Sequence, residues 1–373
     1  MRQQKIYFIC PDTKAPIGGI KQLYRQVDIL NRNGFNASIL HKKKRFRHKW
    51  FENKTRIEYN FPLFCLIKQT IRSGSKSSFL KRVFTKINWG IQSLMASKLD
   101  TNAIYVFPEF LSLSFLKIKK DTLKVIFNQN CYYSFFYNSI EEHSDEKQYA
   151  DKNIIATIVV SEDSKNYLSF AIPNIKLYRI RIGIDQNTFY YQPRKKKQIA
   201  FMPRKMKEDI IQIFNILKYR NSLQDWLLVS IDNKTEQEVA QILRESHIFL
   251  SFNHIEGFGL PPAEAMACGC IVIGYTGRAG EEYFNPDFSY PIPDGDIINF
   301  VHKIEEVLMF FEKDPITFLE KQINASQAIL NEYSLENEEQ DIVTTWNQIL
   351  DLQKSYTTKS EQQSVPATDF HSI

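Results

Sequence analysis

At 373 residues the chain exceeds one typical domain and suits two of moderate size. With 43% hydrophobic and 24% charged residues it is neither fibrous nor wholly disordered, and its apolar runs, such as IIATIVV and CIVIG, are far shorter than the roughly 20 residues that span a bilayer. The net charge of +6 comes with no helix-turn-helix, RNP or zinc-finger pattern, which argues against nucleic acid as a partner.

The chain opens on KIYFIC, a strand candidate too brief for a signal-peptide core. A loop ending in Gly18-Gly19 leads into a segment where Ile20, Leu23, Tyr24, Val27 and Leu30 recur at helical spacing, and Gly34 stands where a left-handed cap belongs. NASIL then predicts a second strand, completing a βαβ unit. The stretch from His41 to Trp50 carries six Lys or Arg. It reads as a solvated face, or as a patch for an anionic membrane or a polyanionic acceptor. Residues 42–99 show no clear period. AIYVF, KVIFNQN and IIATIVV supply further buried strands.

Leu177 to Lys197 behaves as a linker, with the domain boundary placed near Asp185. The α/β rhythm then restarts with strand QIAFMPRK, helix EDIIQIFNILKYR, strand WLLVSID, helix EQEVAQILRES and strand IFLSF. The expectation is two doubly wound, Rossmann-like domains, over residues 1–185 and 186–354, facing a cleft. The last helix of the second lies around Trp346. The polar, aperiodic residues 355–373 are expected to be a disordered tail.

The segment EGFGLPPAEAMACGC carries the chemistry. IFLSF delivers Glu256 to the carboxyl end of a buried strand, where open α/β sheets bind ligands. Gly257 and Gly259 let backbone N–H groups approach a ligand, and Pro261-Pro262 suit the first turn of a helix. Glu264 then lies near that helix N-terminus, a natural anion site. Two carboxylates on either side of a diphosphate suit the hydroxyls of the two sugars of a nucleotide sugar. The plainer alternative is that Glu264 only complements the helix dipole.

These residues, EGFGLPPAEAMACGCIVIGYTGRAGEE, resemble the E-x7-E signature of retaining, nucleotide-sugar-dependent glycosyltransferases of the GT-B fold, family 4 (glycosyl transferases group 1). The resemblance covers the second domain well and the first through the Gly18-Gly19 loop, VVSEDSKNYL and the RIGID turn. It implies that Glu256 lies against the donor sugar, that Glu264 binds the ribose, and that Gly257, Phe258, Gly259 and Leu260 line the donor site. Gly18 and Gly19 would face the diphosphate and the acceptor, and the last helix, around Trp346, would pack back across the interface as in relatives.

The family's phosphate-binding Arg and Lys correspond to Arg204 and to either Lys205 or Lys207, more closely spaced here than usual. Where many relatives carry a His near the sugar, this chain offers Asn130, which can bind a hydroxyl but cannot serve as a general base. The resemblance implies a saccharide or lipid-linked acceptor, retention of configuration, and a role in cell-surface polysaccharide or glycoconjugate synthesis.

No cofactor and no metal is expected. Asp294-Gly-Asp296 fits a helix N-cap better than a metal site, and no clustered Cys/His set offers a zinc site. The five cysteines are odd in number and lack C-x-x-C pairs, which points to a reducing cytoplasm, with peripheral membrane contact through residues 41–50. The rival readings are a GT-B-like module that binds nucleotides or sugars without turnover and, less favoured, a nucleotide-sugar epimerase.

Overall fold

The computed structural model describes residues 4–13, 17–65, 100, 102–111, 122–136, 149 and 151–363. Two wholly parallel sheets organise them. The first runs β3-β2-β1-β4-β5-β6-β7, with β1 (Lys5–Ile9), β2 (Asn36–His41), β3 (Ile57–Tyr59), β4 (Ile104–Pro108), β5 (Lys124–Asn128), β6 (Ile154–Val159) and β7 (Leu177–Arg179). The second runs β12-β11-β10-β8-β9, with β8 (Lys196–Phe201), β9 (Leu227–Ser230), β10 (Ser246–Glu256), β11 (Ile271–Arg278) and β12 (Ser289–Pro291). Near-continuous apolar runs are what parallel strands covered on both faces require, and β1, β4, β5, β10 and β11 carry them.

Strand order reverses between β1 and β4 in the first sheet and between β8 and β10 in the second. Such switch points are where doubly wound sheets open a crevice at their carboxyl ends. Helix α1 (Gly18–Arg32) leaves the first crevice, and it ends as its sequence predicts, with Gly34 at φ +84° and Phe35 N–H donating to Leu30 O at 2.9 Å.

Helix α2 (Glu162–Ala171) starts on the side chain of Ser161. In the second domain α3 (Lys207–Tyr219), α4 (Glu236–Glu245) and α5 (Leu260–Ala267) follow β8, β9 and β10. Asp296 caps α6 (Ile297–Lys313) by accepting from Asn299 N–H at 3.1 Å, as expected.

Helix α7 (Pro315–Glu332) was not foreseen from the sequence. Asp314 caps it, Pro315 fits its first turn, and Phe318, Gln322, Ala325 and Ile329 form its buried stripe. The final helix, α8 (Leu335–Gln363), corrects the expected tail: its backbone stays helical eight residues past Ser355, and residues 364–373 lie outside the described set.

The crossover of α8 is firmly built. Trp346 is fully buried, with its ring 5.8 Å from that of Phe8 in β1. Arg181 meets Asp341 through two nitrogens at 2.8 Å each, and Arg25 of α1 donates to Glu338 at 3.0 Å and to Gly183 O at 2.7 Å. Among the described residues no helix is long and apolar enough to cross a membrane.

Candidate active site

A cavity of about 840 Å³ lies between the carboxyl ends of the two sheets. Its wall is shared: Gly18, Gly19, Gln22, Glu109, Gln129 and Asn130 come from the first domain. Arg204, Lys205, Glu256, Gly257, Phe258, Gly259, Leu260 and Glu264 come from the second. The structure therefore brings together every residue singled out from the sequence except Lys207. That lysine is the exposed first residue of α3 and is not part of the cavity wall.

Glu256 reaches the cavity through local irregularity. The pairing of β10 with β11 slips between Asn253 and Glu256, and Ile255 sits at φ +42°, a costly conformation for a β-branched residue. The bulge sets Glu256 beside Lys205, and the two form an ion pair. Arg204, next in the same loop, is exposed at the cavity.

Gly259 then turns the chain into α5 at φ +83°, where a Cβ would come within 2.8 Å of both Asn253 Nδ2 and Tyr283 Oη. Tyr283 Oη donates to Gly259 O at 2.6 Å and fixes the turn. Pro261 and Pro262 carry no N–H, so the backbone donors that the start of α5 retains for an anion are those of Gly259 and Leu260, both in the cavity wall. Phe258 is buried, packed on Tyr283 and Tyr333 with ring centroids at 5.4 and 5.1 Å. Its part is to hold the turn in place.

Glu264 follows on α5, half-buried in the cavity wall. Burial, helped by Glu236 and opposed by Lys21 and Arg25, pushes its carboxyl up to about 7. A carboxylate held this way gains most from hydroxyl donors supplied by a ligand.

The first domain closes on this edge by contact. Asn130 Nδ2 donates to Ile255 O at 3.2 Å, and a Cβ on Gly257 would sit 1.7 Å from Gln129 O. Asn130 is thus a tether between the domains as well as part of the cavity wall. A second tether is Glu282, which accepts from Arg179 and Tyr333 at 3.0 Å each and from Glu162 N–H, at the start of α2, at 2.7 Å.

Three features of the cleft were missed in the sequence. Glu109 is buried after β4, receives Gln129 N–H at 3.2 Å, and has its carboxyl raised to about 7 by burial. Residues 231–234, after β9, line the far end of the cavity. Lys21 of α1 pairs with Glu236 of α4 across the cleft. Only the apolar run before Glu109 and the strand before residue 231 hinted at them.

Away from the cleft, the expectation that no Cys/His set clusters is corrected. Cys10, His41 and His48 are buried together, because parallel register sets the ends of β1 and β2 side by side.

Known proteins share this construction. Residues 223–314, which include α5 and the Glu256 turn, match the family described as Glycosyl transferases group 1. An alpha-1,6-glucosyltransferase of Actinobacillus pleuropneumoniae serotype 7 is 25% identical over 263 residues, covering 66% of this chain and 76% of the relative. Sucrose-phosphate synthase from Thermosynechococcus elongatus superposes with a TM-score of 0.66 at 14% identity, over 94% of this chain and all of that one. The Anabaena protein HepE, solved with UDP and glucose, superposes at 0.61 with 12% identity, over 93% and 100%.

Proposed function

Because the chain is a glycosyltransferase of the GT-B fold, we propose that it moves a hexose from a nucleoside diphosphate donor to a saccharide or lipid-linked acceptor, with retention of configuration. The observation that carries this reading is one cavity holding Glu256 and Glu264 on either side of the α5 N-terminus. Glu264 accepts hydrogen bonds from the two ribose hydroxyls. The Gly259 and Leu260 N–H groups, Arg204 and Lys205 bind the diphosphate, and Glu256, paired with Lys205, lies against the hexose. Lys205 is preferred to Lys207 because it lines the cavity.

In the transfer, the bond from the sugar C1 to the β-phosphate oxygen breaks and a bond to the acceptor oxygen forms on the same face. The acceptor proton passes to the departing phosphate oxygen. Arg204, Lys205 and the helix N-terminus stabilise the negative charge that grows there, so that the transfer requires no metal. UDP-glucose is the first donor to test, given the glucosyltransferase relative and the ligands of the Anabaena neighbour. The setting fits cell-surface polysaccharide or glycoconjugate synthesis at the cytoplasmic membrane face, where the basic residues of 42–49 would meet anionic lipid.

The test is donor-dependent glycosylation of a saccharide acceptor panel, read by mass spectrometry, with the new anomeric linkage assigned by NMR. Product with the donor's anomeric configuration, lost in Glu256→Gln, supports the reading. Inverted product, or equal activity in the variant, overturns it.

A further inference from the structure

The Cys10, His41 and His48 cluster plays no part in the transfer, and its chemistry is specific. Strands β1 and β2 pair with Ile9 opposite Leu40, and Cys10 N–H donates to Leu40 O at 3.1 Å. Cys10 and His41 consequently leave the sheet as neighbours. The basic loop runs outward through residues 42–47 and then turns His48 back in, with its ring 5.5 Å from that of His41 and its Nε2 3.9 Å from Cys10 Sγ, although 38 residues separate the two in sequence. Cys10 and His41 are fully buried and His48 is 3% exposed. One candidate ligand atom from each lies within 4.8 Å of the others.

The surroundings favour a cation. A tetrahedral zinc, with bonds of about 2.3 Å to sulfur and about 2.0 Å to nitrogen, sets ligand atoms roughly 3.5 Å apart. Cys10 Sγ and His48 Nε2, 3.9 Å apart, stand close to that spacing. His41 Nδ1 lies 2.9 Å from Asp12 Oδ1, the carboxylate–imidazole contact that orients a metal-bound ring, and its Nε2 turns toward Tyr24 Oη at 2.6 Å. Charge balances as well: a Cys10 thiolate and the Asp12 carboxylate together match a divalent ion. Rings of Phe46, Phe51 and Tyr24 pack about His48 at 5.0 to 6.3 Å and close the site to water.

We propose that Cys10, His41 and His48 form a structural site for a zinc-class divalent cation, with the His41 Nε2–Tyr24 hydrogen bond exchanged for the bond to the ion. Binding replaces the Cys10 thiol proton, which leaves to solvent. Asp12 also receives Lys42 N–H and Lys43 N–H at 3.0 and 2.9 Å, so the occupied site clamps the basic loop to the segment after β1. Pro11 of that segment lines the donor cavity, which couples the clamp to the first-domain wall.

The experiment uses the full, untagged chain titrated with cobalt(II) after chelation, with zinc content measured on the protein as purified. The expected result is one cobalt per chain, a thiolate-to-cobalt charge-transfer band, and displacement by zinc. Cys10→Ser removes the band, and His48→Phe, which preserves the ring packing, weakens binding at least 100-fold. Circular dichroism and nucleoside diphosphate binding report whether each variant is folded. If either variant fails to fold, the wild-type spectrum decides. Absence of the thiolate band in the wild type, or its full retention in folded Cys10→Ser, overturns the proposal.

Discussion

Glu264→Gln should make the protein more stable and a worse binder at the same time. The Glu264 carboxyl is raised from its usual 4.5 to about 7 by burial. Between those values the folded protein keeps a proton that the unfolded chain has released, so stability falls as pH rises through that window. Taken whole, the shift corresponds to about 3 kcal/mol above pH 7. The side chain is only half-buried at a water-accessible cavity, which reduces the expectation to about 1–2 kcal/mol.

A neutral glutamine escapes that cost. Urea unfolding should find the variant about 1–2 kcal/mol more stable at pH 8 and equal to wild type at pH 5. Nucleoside diphosphate binding moves the other way. The ribose hydroxyls lose a charged acceptor, and affinity at pH 8 should drop about 30-fold, a cost of about 2 kcal/mol. Wild-type affinity should itself rise as pH passes 7. A variant no more stable at pH 8 than wild type would refute the strain assigned to this carboxylate.

Three further substitutions test the cleft and its supports. Gly257→Ala drives a Cβ to 1.7 Å from Gln129 O, so the domain edges must separate; transfer should fall at least 100-fold while nucleoside diphosphate binding by calorimetry changes less than tenfold. Glu282→Ala removes a shared partner of Arg179, Tyr333 and the α2 N-terminus and leaves the half-buried guanidinium only Glu162 Oε1, at 3.5 Å; a loss of about 1–3 kcal/mol is expected by chemical denaturation. Lys195 Nζ donates to the carbonyls of Arg244, Ser246 and Cys268 at 2.8 to 3.0 Å, so Lys195→Met should cost about 3 kcal/mol with donor affinity unchanged in the folded protein.

The second domain was legible because its signals are local. IFLSF and CIVIG are continuous apolar runs bounded by glycine and proline, and the Glu256–Glu264 junction lies within one strand, one turn and one helix. Nothing local marks Glu109, whose importance comes from burial beside Gln129, a strand away. Cys10 and His41 meet through sheet register, and His48 joins them through the return of the loop after β2, neither of which residue spacing encodes. The stripe of α7, from Phe318 to Ile329, includes Gln322 and Ser326 and so looks weak in sequence, yet Gln322 donates to His247 O at 3.0 Å and Ser326 to Ala267 O at 2.6 Å. The end of α8 is polar on most faces, and composition alone favoured disorder there.

The central claim is that one cavity holds the two sugars of a nucleotide sugar between Glu256 and Glu264. Calorimetric titration of wild type, Glu256→Gln and Glu264→Gln with a panel of nucleoside diphosphates and their glucose conjugates, in chelator, tests it most directly. One free diphosphate should bind wild type and Glu256→Gln alike and Glu264→Gln far more weakly, and Glu256→Gln should lose only the added affinity or turnover of the sugar conjugate. Equal binding of that diphosphate to all three proteins, or binding of none, would contradict it.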